Sequence, residues 1–379
     1  MKNCPVCGND IHIQILKLKD IPVNTNTLLI NRDLALKSPL GDIDLRFCKE
    51  CTHLFNGAFE SKKVVYGSGY ENCLFYSSRF RNYVEEQIGQ LVNQYSLMGK
   101  TIIEVGSGNG EYLEHLCKGG GAYGIGFDLR SSKKFSDDGR LRFFKENFRK
   151  DLIEKRPYLI ISRQTLEHIP NPKNLVNEMK ESIEERQGKV FIEVPNGLHI
   201  LKENRVWDLI YEHVSYFTPQ SITRLFNECG FKVASIKENF GNQYITLEAI
   251  PGHASPMKTR NMDDIVINFS KNSVEKIKNY TKKVNKLIHD GKKAIVWGMG
   301  SKGITFLNLV DKNGFIEFGV DINPRKEGKF ISSTGQNIVA PEFLKEYKPD
   351  VVFVMNMVYM DEIRSKLEQL NVSPKLIGV

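Results

Sequence analysis

The sequence predicts an α/β protein, with a Rossmann-like core set between a cysteine-bearing N-terminal module and a second, smaller Rossmann-like lobe. Three observations carry this. Residues 101–105 form an apolar strand running into Gly106-Ser107-Gly108-Asn109-Gly110, and Gly124-Ile125-Gly126-Phe127-Asp128 reads as the next strand, ending in an acid. Cys4-Pro5-Val6-Cys7 and Cys48-Lys49-Glu50-Cys51 are two Cys-x-x-Cys pairs. Residues 293–297 form a strand that enters a further glycine-rich turn, Gly298-Met299-Gly300-Ser301-Lys302-Gly303.

A chain of 379 residues exceeds one ordinary core and predicts two or three domains. With 41% hydrophobic and 26% charged residues, it has the composition of a soluble globular protein. No apolar run approaches the roughly 20 residues of a membrane span. The N-terminus carries no apolar signal region, so a cytoplasmic location without membrane contact is expected. The net charge of +8 is spread along the chain, with no dense basic stripe, which argues against nucleic acid as a partner. A phosphate-bearing small substrate would use the same surplus. Seven cysteines, an odd number, suit a reducing compartment better than a disulfide framework.

Taken in order, residues 1–80 are expected to form a zinc-binding module. A two-residue spacer lets two thiolates meet one tetrahedral ion, and Cys4, Cys7, Cys48 and Cys51 complete a closed four-sulfur site. With no open position, that zinc would be structural. The stretch Tyr66-Gly67-Ser68-Gly69-Tyr70-Glu71-Asn72 and the one from Phe75 to Arg81 place aromatic rings beside hydroxyls and Arg. They fit either a sugar or nucleotide site that includes Tyr76, or packing against the next domain.

Residues 81–250 are the expected core. Val84, Ile88, Leu91 and Val92 give residues 80–98 a helical period. Gly106 and Gly108 let the backbone approach a ligand, Glu104 stands just ahead of them, and Asp128 is placed to accept two ribose hydroxyls. Strands are predicted at 142–144, 158–162 and 189–194, and a last pair at 231–237 and 244–249 as an antiparallel edge. The loop Arg163-Gln164-Thr165-Leu166-Glu167-His168-Ile169-Pro170 follows a strand's carboxyl end and should face the ligand. His168 there is either a substrate contact or a buried helix-start histidine. Trp207-Asp208-Leu209-Ile210-Tyr211-Glu212-His213-Val214-Ser215-Tyr216-Phe217 has a density of Asp, Tyr, Glu and His suited to acid–base chemistry. It also fits a hydrogen-bonded loop capping the sheet. Asn242 and Gln243 offer amides that could read sugar hydroxyls, or make a plain turn. Residues 251–290 form a linker and an amphipathic connecting helix. Residues 291–379 form the second lobe, where Lys302 at a helix start suggests contact with a substrate diphosphate.

These motifs, in this order, resemble the S-adenosylmethionine-dependent sugar C-methyltransferases of deoxysugar pathways. The likeness covers the whole chain: the paired cysteines, Glu104-Val105-Gly106-Ser107-Gly108, Leu166-Glu167-His168-Ile169-Pro170, Glu193-Val194-Pro195-Asn196, Tyr211-Glu212-His213 and the turn at Gly298. The resemblance implies a class I (Rossmann-like) methyltransferase core. It implies S-adenosyl-L-methionine held by Glu104, Gly106, Ser107, Gly108, Asp128 and Gln164. The implied acceptor is a carbon beside a keto group on a nucleotide-linked sugar, with contacts from Tyr76, Asn196, Tyr216, Asn242 and Lys302. His213 is the implied base, with Tyr211, Glu212 and His168 around it. The family places one residue between the Tyr and the Glu-His pair, whereas here Tyr211 abuts Glu212, so Tyr216 is a candidate to stand in for Tyr211. This departure fits a divergent branch.

A carbon beside a ketone becomes a nucleophile only after losing a proton, which a base of near-neutral pKa suits. The alternatives are an O- or N-methyltransferase, a nicotinamide-dependent oxidoreductase using either glycine loop, and a zinc-stapled binding module. A monomer or a homodimer is expected.

Overall fold

The computed structural model of the protein describes residues 3–65, 67, 69–132, 134–136, 138–183, 187–254 and 260–379. Tyr66 and Ser68 of the aromatic stretch and residues 255–259 of the linker lie outside them.

The N-terminal strands are β1 (His12–Pro22), β2 (Leu40–Cys48) and β3 (Leu54–Asn56). The core strands are β4 (Thr101–Val105), β5 (Tyr123–Phe127), β6 (Leu141–Phe144), β7 (Leu159–Arg163) and β8 (Lys189–Pro195). They are followed by the short β9 (Ser215–Tyr216), then β10 (Phe231–Asn239) and β11 (Tyr244–Pro251). The C-terminal lobe holds β12 (Ala294–Trp297), β13 (Phe318–Val320), β14 (Asn337–Val339), β15 (Val351–Val354) and β16 (Lys375–Gly378).

The core sheet has the order β10-β11-β8-β7-β4-β5-β6. Pairing is parallel from β8 through β6, and β11 runs antiparallel to both its neighbours. The expected last pair thus forms an antiparallel edge, with β10 outermost and the reversed strand β11 one place in. This is the class I Rossmann-like arrangement. β7 and β8 are almost continuously buried, as strands covered on both faces must be, whereas the edge strand β10 alternates. On one side lies the helix Ser78–Gln94, capped by Ser77, whose hydroxyl accepts from the Phe80 N–H. It buries Phe80, Val84, Ile88 and Leu91 in the predicted period.

The C-terminal lobe is a five-stranded parallel sheet of order β14-β13-β12-β15-β16. The strand expected at 293–297 is β12, at the centre of this sheet. The helix Asp263–His289 crosses between lobes and buries Val266, Phe269 and Val284.

The N-terminal sheet contains a strand that the sequence does not assign to it. Its order is β1-β2-β3-β9, so Ser215–Tyr216 from the acid–base segment completes it. The boundary at residue 80 is therefore crossed by a later part of the chain. The cores are shared as well. Leu45 and Phe47 of β2 lie in one apolar cluster with Trp207, Phe269, Phe306 and Phe353. Cys4, Cys48 and Cys51 pack with Ile192 and Phe217 of the core. Burying apolar surface jointly leaves the three parts little freedom to move as separate beads.

Candidate active site

The turn after β4 places the first group of residues. Gly106, Gly108 and Gly110 all have positive φ, at +79°, +55° and +87°. A Cβ on Gly106 would lie 1.9 Å from Thr165 Oγ1, so only glycine lets the two loops meet. Above Gly108 nothing lies within 4 Å of a Cβ position, which leaves room for a ligand against the backbone. Two buried polar atoms nearby have no partner among the described residues: Glu104 Oε2 and Ser107 Oγ. Burial pushes the Glu104 carboxyl up to about 8. This donor and acceptor set fits S-adenosylmethionine.

Asp128 is in place at the end of β5, but its oxygens are engaged. Oδ2 accepts from Gly108 N at 2.9 Å, and the Arg130 guanidinium grips both oxygens at 3.0 and 2.9 Å. Burial alone would raise this carboxyl; Arg130 outweighs it and holds Asp128 below the usual carboxylate range. Gln164, at φ +49°, donates from its backbone to Glu193 O at 2.7 Å and from its side chain to Glu193 Oε1 at 3.3 Å. Glu193 is fully buried, and it also takes a 2.8 Å bond from Arg163 and bonds from Gln87 and Tyr83. This network fixes the loop after β7.

Beside that loop is a cavity of about 480 Å³, walled by all three parts of the chain. The N-terminal part supplies Asn26, Tyr70, Asn72 and Tyr76. The core supplies Gln164, Glu167, His168, Asn196, Asp208, His213 and Gln243. The C-terminal lobe supplies Gly298, Ser301, Lys302, Asn323 and Asn356. Sites at the junction of lobes are the common pattern for small ligands.

The two histidines meet on this wall. Their ring centroids are 4.8 Å apart, edge to face. His168 Nδ1 donates to the Glu212 carbonyl at 3.0 Å. Burial lowers His168 to about 4 and holds His213 well below the ordinary imidazole range, and the His168 ring further disfavours charge on His213. Both are neutral at pH 7.

Several expected site residues stand elsewhere. Tyr211 is fully buried in the N-terminal core: its hydroxyl accepts from Glu60 N at 3.0 Å, and its ring stacks on Phe59. Tyr216, expected to replace it, spends its hydroxyl on the backbone of Ile210, at 3.1 and 2.8 Å. Neither lines the cavity. Glu212 lies in a turn closed by His213 N on Ile210 O at 3.2 Å, and its side chain goes to Thr25. Its carboxylate accepts from Thr25 Oγ1 at 2.8 Å and from Thr25 N at 3.3 Å. Asn196 reaches the wall but caps the helix Gly197–Lys202, and its amide donates to Glu238 and to Asn242 O. Asn242 is a turn residue at φ +64°, off the cavity wall. Lys302 lies at the start of the helix Ser301–Val310, with Nζ 3.1 Å from Asp208 and 2.7 Å from Gln243 Oε1. Gln243 and Asn356 bond amide to amide at 2.9 Å, a bridge between the core and the C-terminal lobe.

Sequence reasoning passed over Glu167, although it adjoins His168. It is 1% exposed, and its Oε2 has no partner among the described residues.

The four cysteines converge. Cys4–Cys51 and Cys7–Cys48 are each 3.5 Å between sulfurs, all four sulfurs lie within 4.8 Å of one another, and all are unbridged. That spacing fits one tetrahedral ion with bonds of roughly 2.3 Å. The cluster packs against β3 and the helix Pro219–Glu228.

Comparison with known proteins agrees with the geometry. Residues 80–236 match the model described as a methyltransferase domain, and residues 257–374 match the C-methyltransferase C-terminal domain. The chain is 23% identical to the C-methyltransferase NovU of Streptomyces niveus, over 95% of this chain and 90% of that one. Among solved structures, magnesium protoporphyrin IX methyltransferase (ChlM) of Synechocystis PCC 6803 is 16% identical, with a TM-score of 0.37 over 49% of this chain and 90% of that one. An S-adenosylmethionine-dependent methyltransferase of Clostridium acetobutylicum is 13% identical, with a TM-score of 0.36 over 46% and 92%. No helix among the described residues is long and apolar enough to cross a membrane. With a methyltransferase domain and a C-methyltransferase C-terminal domain in sequence, this chain belongs to the S-adenosylmethionine-dependent C-methyltransferases.

Proposed function

We propose that the enzyme methylates a carbon beside the keto group of a nucleotide-linked sugar, with His213 as the base. The observation that carries this is a neutral His213 on the wall of a cavity that both the core and the C-terminal lobe enclose. A neutral imidazole can take a proton, and an acidified carbon is the acceptor that needs one removed. When bound, S-adenosylmethionine supplies an electrophilic methyl group, with the C–S electron pair leaving to sulfur as the new C–C bond forms. Glu104, Ser107 and the glycine turn hold that cofactor. Asp128, now held by Arg130, would accept from the cofactor's ribose hydroxyls. Tyr76 and Gln164 frame the sugar, His168, whose one N–H is held by the Glu212 carbonyl, lies beside the base, and the helix start at Ser301–Lys302 faces the diphosphate. The four cysteines hold one structural zinc.

The experiment is His213→Ala assayed with a nucleoside diphosphate-linked keto sugar. Turnover is expected to fall by about a hundredfold or more, with unchanged affinity for S-adenosylhomocysteine. Near-normal turnover would remove His213 as the base. In wild type, solvent deuterium should enter the acceptor carbon without methyl transfer; an oxygen or nitrogen acceptor predicts none.

A further inference from the structure

A base in a dry site has a charge problem. When His213 takes a proton it becomes an imidazolium, and burial disfavours that form. A neighbouring carboxylate is the usual remedy, and the adjacent Glu212 is the obvious candidate. Its oxygens, however, are committed to Thr25, on the other side of the chain. The wall offers a different carboxyl. Glu167 is buried, lines the same cavity, and leaves Oε2 without a partner among the described residues. His213 Nδ1 is likewise buried and without a partner among them. A Glu167 oxygen and one ring nitrogen from each of His168 and His213 lie within 4.8 Å of one another. The backbones are clamped together, with Val214 N donating to Glu167 O at 2.9 Å, so the two side chains are held in register.

We propose that Glu167 is the positioning residue for His213, its carboxylate accepting the Nδ1–H so that Nε2 is left free to act as the base. This rests on the reading of His213 given above. The step balances as follows. The carbon beside the keto group gives its proton to Nε2, and the C–H electron pair becomes the enolate. His213 becomes an imidazolium whose charge Glu167 offsets at Nδ1. The pair thus goes from a net charge of −1 to neutral while the substrate gains the negative charge. Two unpartnered buried polar atoms facing a cavity are costly to a fold unless they serve one another or a ligand. The Glu167 carboxylate and the His213 ring come within 4.8 Å of one another on this wall. The same arrangement fixes the imidazole tautomer, which is what a third group does for a base in a catalytic triad.

Burial holds the Glu167 carboxyl up at about 8, so the competent carboxylate form grows in as pH rises. The ionisable groups that bear on the pair are Glu193, which raises Glu167 further, His168 beside His213, and Arg130, which bears on His168.

The test uses the full-length protein with Glu167→Gln and Glu167→Asp. The first readout needs no substrate: nitrogen NMR of histidine-labelled protein, with His213 assigned by its loss in His213→Asn. Wild type is expected to carry its proton on Nδ1 and to titrate at least tenfold more readily toward imidazolium than Glu167→Gln. The second readout is solvent deuterium exchange into a nucleoside diphosphate-linked 4-keto-6-deoxyhexose, with S-adenosylhomocysteine bound. Glu167→Gln should slow exchange by about thirtyfold or more and lose the rising limb of the pH profile, while binding S-adenosylhomocysteine as wild type does. Glu167→Asp should restore part of the rate. Unchanged His213 nitrogen signals in Glu167→Gln overturn the proposal, as does an unchanged exchange rate and pH profile. So does a second bound metal per chain, beyond that at the cysteines, that is lost in Glu167→Gln, since the three side chains would then be ligands. If wild type itself exchanges nothing, the keto-sugar reading fails, and the NMR still decides the pairing.

Discussion

Glu104→Gln is expected to change how the cofactor-free protein responds to pH. The carboxyl sits at the end of β4, 3% exposed, with Oε2 unpartnered among the described residues. Burial moves it from the ordinary 4.5 up to about 8, against an opposing pull from Arg163. The folded protein therefore holds this proton more tightly than the unfolded chain. The associated stability is fully present below pH 4.5 and is lost as pH rises through about 8. At ~1.4 kcal/mol per tenfold change in proton affinity, the full loss is ~5 kcal/mol, and water entry at the open glycine turn reduces it toward ~2 kcal/mol. Glutamine is close to isosteric and has no proton to lose, so its curve lacks this slope. Urea unfolding of both proteins between pH 5 and pH 8.5 measures the difference directly. Glu167 and Glu212 are raised by burial too, to about 8 and about 7, but they are common to both proteins and cancel. The gap between variant and wild type should widen by ~2–5 kcal/mol across that range. Parallel curves would refute the reasoning, because they would mean that water already solvates Glu104 in the empty site.

Further outcomes follow from single contacts. Asp128→Ala should weaken S-adenosylhomocysteine binding by about tenfold to a hundredfold in calorimetry, the worth of hydrogen bonds to a charged group; unchanged affinity would break the ribose assignment. Cys48→Ser should release the metal to a chelator and lower the thermal midpoint, because the thiol is fully buried among three others. His213→Ala should leave that midpoint nearly unchanged while removing turnover, which separates chemistry from folding.

Local signals in the sequence were legible wherever local chemistry decides structure. The glycine spacing after β4 reports a backbone that must turn tightly, and Gly106, Gly108 and Gly110 do adopt left-handed conformations. The helical period from Val84 to Leu91 reports a face buried on the sheet. The Cys-x-x-Cys pairs report a cluster, and the four sulfurs meet. What escaped is set by long-range pairing. Nothing near Tyr211 shows that its ring fills the gap above Gly41, where a Cβ would lie 2.2 Å from it. Tyr216 looks like a site tyrosine because its hydroxyl is polar, yet the hydroxyl closes a loop on Ile210. Glu212 and His213 are neighbours in sequence, yet the Glu212 carboxylate is bonded to Thr25, nearly two hundred positions away, which local pattern does not show.

The pairing of β3 with β9 has a consequence for how this chain is made. Phe55 aligns with Ser215, 160 positions later, so the N-terminal sheet lacks its last strand until more than half the polypeptide has been synthesised. Closing so long a loop is entropically unfavourable before the core has brought its ends together. All four cysteines of the cluster lie within the first 51 residues and can meet early, but the sheet beside them must wait. Expressed alone, the first eighty residues would expose the edge of β3, including Phe55, to other chains, an invitation to intermolecular strand addition. Synthesis of the methyltransferase core thus acts as the folding template for the segment that precedes it.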